Sequence, residues 1–235
     1  MKRNFILISK AILAVASLHS LCIADVQITS RTSLLSTHID FGYVGNVLST
    51  TESKTSTTID DTSLTIQGNA ADGGALGDIT WDAVYQFGLE QQLVPGSSIG
   101  FGGHSSTGLF TFIGGDGVSY LSATNRLEVV FENSEPTAFD LNFIATDTGS
   151  LDLEQMTSPG NWVSLYTIPG GTNGTTSSTL QLAAGVFRIN TATNLNTDNG
   201  GSNGGSWSFS IMAVPEPTGL LHIGLGVFCL LARRR

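Results

Sequence analysis

The sequence predicts an all-β fold, an antiparallel β-sandwich of jelly-roll type that forms one domain. Several stretches alternate apolar and polar residues with period two, the pattern of strands with one buried face. The segments between them are dense in Gly, Ser, Thr and Asn, which favour turns. Charged residues make up only 12% of the 235 residues, and no part of the body has a convincing helical period.

The chain begins with the pattern of a cleavable secretory signal peptide, residues 1–24. A basic start is followed by an apolar stretch, which Lys10 interrupts. Ala24 directly precedes the first acidic residue, Asp25, and cleavage is predicted between these two residues. An uncleaved anchor is the alternative, and Leu21 is too bulky for a lipid-modified Cys22. Export in this form requires the secretion translocon and signal peptidase as partners.

The predicted sandwich occupies residues 25–213. The segments RLEVVFE and AFDLNFIA each place large apolar residues on one face, and NSEPT between them favours a turn, so residues 126–145 are predicted to form a hairpin. Further strands are predicted at NWVSLYTI, GVFRINTA and SWSFSIMAV. A less ordered start is predicted for residues 45–61, where Ser and Thr crowd together. Residues 180–189 resemble a strand-turn-strand near the end of extracellular jelly-roll modules.

The body is strongly acidic and has no cysteine. Between Asp25 and Ala213 there are eighteen acidic and four basic residues. Such a surface repels phosphate backbones and anionic lipid, which argues against nucleic-acid binding. Both cysteines, Cys22 and Cys229, lie in the terminal apolar segments, so the body alone contains no disulfide or cysteine metal ligand.

The last residues, 214–235, combine three features in a fixed order. The tetrapeptide Val214, Pro215, Glu216 and Pro217 is followed by an apolar run over residues 219–232 and by three terminal arginines. At ~1.5 Å per residue, a helix of that length spans about 21 Å, short of a ~30 Å hydrocarbon core. A membrane helix at about residues 218–232 is therefore marginal. The positive end formed by Arg233, Arg234 and Arg235 belongs on the cytoplasmic side, which places the body outside the membrane.

This tail resembles the PEP-CTERM sorting signal, the tripartite tail of exported bacterial proteins that exosortases process. The resemblance covers about the last twenty-two residues. It implies that an exosortase recognises the Pro-Glu-Pro region and removes the helix. The protein then passes from a transient inner-membrane tether to the cell surface or extracellular matrix, often in exopolysaccharide-producing Gram-negative bacteria. A permanent single-pass anchor is the alternative interpretation of the same tail.

Patterns for catalysis are weak. Residues 96–100 match Gly-x-Ser-x-Gly around Ser98, but an esterase elbow needs a strand before the serine and a helix after it. Pro95 and the following glycines favour neither. His104 is predicted in a loop and His38 on the polar face of a strand. A catalytic triad of Ser98, His104 and an aspartate is an open alternative, although the spacing of these residues in the sequence does not indicate one. No catalytic or metal-binding residue is assigned.

Acidic residues in the loops leave one cofactor question open. Loop carboxylates can enclose calcium, although no loop contains the ordered run of an EF-hand, and solvated acids that hold turns are the alternative. The residues concerned are Asp60, Asp61, Asp72, Asp78, Asp116 and Asp198. No other cofactor is predicted. The three tryptophans, Trp81, Trp162 and Trp207, are predicted to be core residues.

The sequence therefore predicts an exported, non-enzymatic surface or matrix protein with a structural or adhesive role. A glycan-binding module is the alternative from another class, with exopolysaccharide as a candidate partner. It would use exposed aromatic rings as stacking platforms, such as those of Tyr43, Tyr85 or Tyr120. A secreted hydrolase is a third alternative.

Overall fold

The computed structural model describes residues 26–43, 46–57, 62–71, 78–94, 98–114, 118–146, 149–171 and 173–214. In this part the chain forms twelve strands and no helix. The strands are β1 (Val26–Tyr43), β2 (Asn46–Ser56), β3 (Thr62–Ala71), β4 (Asp78–Val94), β5 (Ser98–Gly114), β6 (Val118–Asn133), β7 (Thr137–Ala145), β8 (Ser150–Ser158), β9 (Asn161–Ile168), β10 (Gly174–Leu182), β11 (Gly185–Asp198) and β12 (Ser202–Ala213).

These strands form two six-stranded sheets that pack face to face. Sheet A has the order β2-β1-β6-β11-β8-β9, and sheet B has the order β10-β7-β12-β5-β4-β3. Every pairing in both sheets is antiparallel. The predicted all-β antiparallel sandwich is confirmed, as are the strands predicted at β9, β11 and β12.

The predicted hairpin over residues 126–145 is wrong. β6 belongs to sheet A and β7 to sheet B, so residues 134–136 cross from one sheet to the other. The predicted alternation of apolar and polar residues within each strand is confirmed, since Phe131 on β6 and Phe139 on β7 are both fully buried. Each strand has one apolar face. The short link places the two strands in opposite sheets, so that their apolar faces pack against each other, rather than side by side in one sheet.

The interior contains two hydrophobic clusters separated by polar residues. The first cluster includes Phe101, Phe131 and Phe187, and the second includes Leu35, Tyr85 and Leu109. Buried polar side chains lie between these clusters along β1, β5, β6 and β11: Arg31, Ser33, Ser105, Thr107, Asn125, Thr191 and Thr193. The guanidinium carbon of Arg31 lies 4.4 Å from the centroid of the Phe87 ring, and Asn125 Nδ2 donates to Thr107 Oγ1.

The tryptophans occupy three different environments. Trp207 is 2% exposed and stacks on Phe209, with ring centroids 6.0 Å apart, so it is a core residue as predicted. Trp81 is half-buried and packs against the second cluster. Trp162 is not a core residue, because it lies on the edge strand β9 beneath the guanidinium of Arg188, 4.5 Å from the ring centroid.

The segment predicted to be less ordered contains an edge strand. Residues 46–56 form β2, which pairs with β1 over eleven consecutive residue pairs without a register shift. Its Ser and Thr residues suit an edge because most of its described side chains are exposed. None of the described segments forms a helix that could span a bilayer. The signal peptide predicted at residues 1–24 and the helix predicted at about 218–232 lie outside the described residues.

Candidate functional site

The tail motif begins where the sandwich ends. Ala213 is buried and pairs with Phe139, and the Val214 amide donates to the Ala138 carbonyl oxygen at 2.8 Å. Val214 is the last residue that the structure describes, and this hydrogen bond attaches it to the backbone of β7. The other predicted sorting residues, Pro215, Glu216, Pro217, Arg233, Arg234 and Arg235, lie outside the described residues. No spacer separates the last hydrogen bond of the sandwich from Pro215.

Both ends of the described chain lie at the same end of the sandwich. Val26, one residue after the predicted cleavage pair Ala24 and Asp25, pairs with Asn133 on β6. Residues 134–136 lead directly from Asn133 to β7, whose Ala138 holds Val214. Asn133 Nδ2 stabilises this end by donating to the Glu135 and Ala183 carbonyl oxygens, at 2.6 and 3.0 Å. Since β6 has 16 residues, the opposite end of the sandwich lies about 50 Å away.

That opposite end exposes two aromatic rings on the outer face of sheet B. Phe110 and Phe112 on β5 are 49% and 57% exposed and are separated by one residue, so they share a face. We call these two residues the phenylalanine pair. Phe110 lies opposite Asp82 on β4 and Ser202 on β12, and Phe112 lies opposite Thr80. The pair thus forms an apolar patch within a polar surface.

The surroundings of the phenylalanine pair leave room for a ligand. The preceding outward position on β5 is Gly108, where an added Cβ would meet no atom within 4 Å. Gly108 pairs with Gly204 on β12, so two neighbouring strands lack side chains beside the rings. Asp82 Oδ1 is buried and has no hydrogen-bond partner among the described residues. The patch therefore combines two exposed aromatic rings with an open strip beside them.

The tyrosines predicted as stacking platforms differ in position. Tyr85 is fully buried in the second hydrophobic cluster, so its prediction as an exposed platform is wrong. Burial raises the pKa of the Tyr85 phenol above its ordinary value. Tyr120 is 39% exposed on the outer face of sheet A, near Asn194, Asn196 and Asn203. The Tyr43 backbone ends β1, and its side chain lies outside what the structure describes.

The aromatic residues proposed from the sequence as platforms were tyrosines, and the phenylalanine pair was not among them. Strand β5 pairs with β4 from Ser98 to Gly114 without a register shift, so odd and even positions face opposite sides throughout. Phe101 is fully buried. Phe110 and Phe112, nine and eleven positions further on, must therefore point outward. That parity is the signal that could have identified them.

An ion-pair network lies on the outer face of sheet A. Arg188 Nε donates to Glu154 Oε2 at 2.5 Å and Nη2 to Glu154 Oε1 at 3.1 Å, and Nη1 lies 3.4 Å from Glu128 Oε2. Asn190 Nδ2 donates to Glu154 Oε2 at 2.6 Å. The hydrogen bond from Arg188 lowers the pKa of the Glu154 carboxyl. Because Arg188 binds both carboxylates and covers Trp162, this network holds β8, β9, β11 and β6 together.

The residues considered for catalysis do not come together. Ser98 begins β5 and His104 lies within the same strand, exposed, so the loop predicted for His104 is wrong. Six residues along a strand separate Ser98 and His104 by about 20 Å. His38 lies on the polar face of β1, as predicted, with Nδ1 at 2.9 Å from Thr51 Oγ1 and Nε2 at 3.0 Å from Asp40 Oδ2. No helix follows Ser98 in the described chain, so an esterase elbow does not form there.

The calcium hypothesis concerns loops that are mostly outside the described residues. Asp60, Asp61, Asp72 and Asp116 fall there, whereas Asp78 begins β4 and Asp198 ends β11. Among the residues that the structure describes, no group of three or more His, Cys, Asp or Glu side chains is placed to hold a metal ion. Calcium binding stays a prediction.

Several solved structures resemble parts of the sandwich. The family 32 carbohydrate-binding module of Streptococcus pneumoniae EndoD is 19% identical over 28% of this chain and 55% of that module, with a TM-score of 0.23. The Yersinia pseudotuberculosis-derived mitogen is 9% identical over 42% of this chain and 87% of its own, with a TM-score of 0.27. A carbohydrate-binding module from Cellvibrio mixtus lichenase 5A, solved with cellotriose, is 15% identical over 41% of this chain and 79% of its own, with a TM-score of 0.25. The aligned part of this chain spans only about half of the EndoD module. At these identities and TM-scores the likeness carries no functional inference.

The family comparison concerns the tail. No curated protein sequence matches the chain significantly. Residues 213–235 match the family model of the PEP-CTERM protein-sorting motif, which confirms the resemblance of the tail. This motif implies export and recognition by an exosortase. The C-terminal tail of this chain, starting at the last residue of β12, is a PEP-CTERM protein-sorting motif.

Proposed function

We propose that this protein is exported, tethered briefly in the inner membrane and released by an exosortase to the cell surface or extracellular matrix, where its sandwich has a non-enzymatic structural or adhesive role. The observation that carries the proposal is the match of residues 213–235 to the sorting motif. The proposed parts are a signal peptide at residues 1–24, a body at 25–213 and a membrane helix at about 218–232. The translocon, signal peptidase and inner membrane act before the exosortase does.

The shape of the sandwich supports this sequence of events. Val26 and Val214 lie at one end, so the predicted signal peptide and the tail both join the body at the same place. The end of the sandwich nearer the membrane is therefore the one with the crossing at residues 134–136. The phenylalanine pair lies at the far end. Because proline does not extend a helix upward, we expect Pro215 and Pro217 to favour an extended chain between sandwich and membrane. In the proposed arrangement Glu216 is the residue presented to an enzyme in the membrane.

The test is the mass of the wild-type protein in two cell fractions. Mass spectrometry of a surface fraction should find a form that begins at Asp25 and lacks the peptide from Gly219 onward. The inner membrane should contain the unprocessed tail. An intact C-terminus in every fraction would support the permanent anchor and contradict the proposal.

A second candidate function is the binding of a neutral glycan, with the phenylalanine pair as the platform. The supporting observation is that Phe110 and Phe112 are both about half exposed on one polar face, beside the open strip at Gly108. Aromatic rings stack on the apolar faces of sugars, and a neighbouring carboxylate such as that of Asp82 accepts hydrogen bonds from hydroxyl groups. The excess of acidic residues in the body disfavours an anionic polysaccharide.

Substituting the platform should weaken glycan binding without unfolding the protein. An array of neutral oligosaccharides is probed first with the wild-type protein. On any neutral oligosaccharide that binds, Phe110→Ala or Phe112→Ala should weaken the affinity about ten-fold, the loss of about 1.4 kcal/mol. Ile144→Ala is the matched control, because Ile144 is 49% exposed on the same face but lies opposite Ser208 on β12, far from the pair. No binding to the array, or equal losses in all three variants, would contradict a glycan platform.

A further inference from the structure

The two edge strands on one lateral side of the sandwich contain no charged residue. The edge strands β9 and β10 follow each other in the chain, and residues 155–187, which contain both strands, include no Asp, Glu, Lys, Arg or His. The whole chain carries a formal net charge of −9, and the body is more acidic than that because most of the basic residues lie at the two ends. Like charges repel two copies that approach through most of their surface. Because β9 and β10 add no charge of their own, this side is where two copies meet the least repulsion.

The other three sheet edges have features that hinder pairing. β2 carries Glu52 and Lys54, and Lys54 Nζ donates to the Thr65 carbonyl oxygen of β3, so a positive charge lies against both edges on that side. β9 pairs with β8 through two register shifts, at Leu153/Glu154 and Met156/Ser158. Charged residues and irregular pairing are the usual devices that keep sheet edges from joining those of other molecules.

β10 has none of these features. It pairs with β7 over nine consecutive residue pairs, from Gly174 to Leu182, without a register shift. It contains neither proline nor a charged residue. In the described part of the chain no strand lies beyond it, so half of its backbone N–H and C=O groups point away from the sheet.

The side chains of β10 leave that backbone accessible. Thr179 Oγ1 donates to Asp140 Oδ1 and Ser177 Oγ to Asn142 Oδ1, both at 2.7 Å, so these hydroxyls are turned toward β7. The hydrogen bond from Thr179 also occupies one oxygen of the Asp140 carboxylate on β7. A second strand that approaches β10 therefore meets regular backbone groups and small Ser and Thr side chains.

We propose that β10 pairs antiparallel with β10 of a second copy, so that sheet B continues across a two-fold axis into a twelve-stranded sheet. The same residues then contribute from both copies, as a two-fold interface requires. Cross-strand Ser and Thr pairs stabilise such a contact. The interface does not depend on the sorting motif or on a glycan, and it supplies the self-association that a structural matrix protein uses.

Cysteine crosslinking of the full-length protein in cells tests this pairing. Cys229→Ser is introduced first, and Cys22 lies in the predicted signal peptide. Single cysteines at the outward positions Thr175, Ser177, Thr179 and Gln181 are then added one at a time. A cysteine near the two-fold axis lies opposite the same cysteine of the second copy, because neighbouring strands in a sheet are about 5 Å apart. Such a cysteine should give a disulfide-linked dimer on non-reducing gels. Ser53→Cys on β2 is the matched edge control and should give no dimer.

Charge at the edge should abolish the association. The exported protein should have twice the monomer mass by light scattering, and the double variant Thr175→Lys, Gln181→Lys should have the mass of a monomer with an unchanged circular dichroism spectrum. The variant Ser53→Lys, Thr55→Lys on β2 should stay dimeric. A monomeric wild type, crosslinking at Ser53→Cys as strong as on β10, or dimers in the β10 lysine variant would each overturn the proposal.

Discussion

Replacing Pro215, Glu216 and Pro217 together by alanine should leave the full-length protein in the inner membrane with its C-terminus intact. The apolar run at residues 219–232 and the three terminal arginines still hold the variant in the bilayer. The exosortase, however, no longer finds the extended, acidic element that it recognises. Alanine also favours helix, so we expect the variant to extend the proposed membrane helix toward the sandwich and to lose the extended approach expected from the prolines. Mass spectrometry of the surface and inner-membrane fractions measures the outcome.

Two variants make this result specific. Thr218→Ala is the matched control next to the triplet and should be processed as the wild type is. Glu216→Gln keeps both prolines and removes only the charge, so it separates recognition of the carboxylate from recognition of the backbone shape. Processing of the alanine triplet at the wild-type level would contradict the role of Pro-Glu-Pro as the recognition element.

Replacing Phe131 by alanine should destabilise the sandwich by about 3–5 kcal/mol, the usual cost of removing a buried phenyl ring. Phe131 is fully buried and contacts rings from both sheets. Its ring centroid lies 5.0 Å from that of Phe101 on β5 and 5.5 Å from that of Phe187 on β11. Alanine leaves a cavity at the centre of the first cluster, because neighbouring strands in both sheets prevent its collapse. The midpoint of urea unfolding should fall accordingly.

Phe112→Ala is the matched control, since it removes the same ring from a 57% exposed position on the same fold. Its free energy of unfolding should stay within about 0.5 kcal/mol of the wild-type value, as for most surface substitutions. Equal losses of stability in the two variants would contradict the burial assigned to Phe131 and Phe112.

Local patterns were sufficient to identify five of the twelve described strands, β6, β7, β9, β11 and β12, and the buried faces of β6 and β7. The period-two alternation around Leu127, Val129 and Phe131 is a property of a single extended segment, and all three residues are fully buried. The tail is likewise local, because its three features lie in one short segment at residues 213–235. The scarcity of helix-favouring residues also predicted the absence of helices from the described part of the chain.

Which strands pair, by contrast, depended on contacts between distant segments. Residues 134–136 can join two strands of one sheet or cross between two sheets, and a sequence window that contains only β6 and β7 does not distinguish these outcomes. The chain crosses between the sheets because β6 pairs with β1 and β11, whereas β7 pairs with β10 and β12. Each apolar face then packs against the other sheet, which buries more surface than a two-stranded hairpin does.

The all-β class, the buried faces of the central strands and the C-terminal sorting motif follow from local sequence patterns alone. The burial of Tyr85 and the exposure of Phe110 and Phe112, by contrast, depend on the tertiary structure. The tertiary structure has further consequences. It also decided that β10 is an uncharged edge and that Val26 and Val214 leave the sandwich at one end. The physical reason is that alternation assigns residues to two faces of a strand but does not say which face meets the other sheet. That choice depends on the neighbouring strands and on their register.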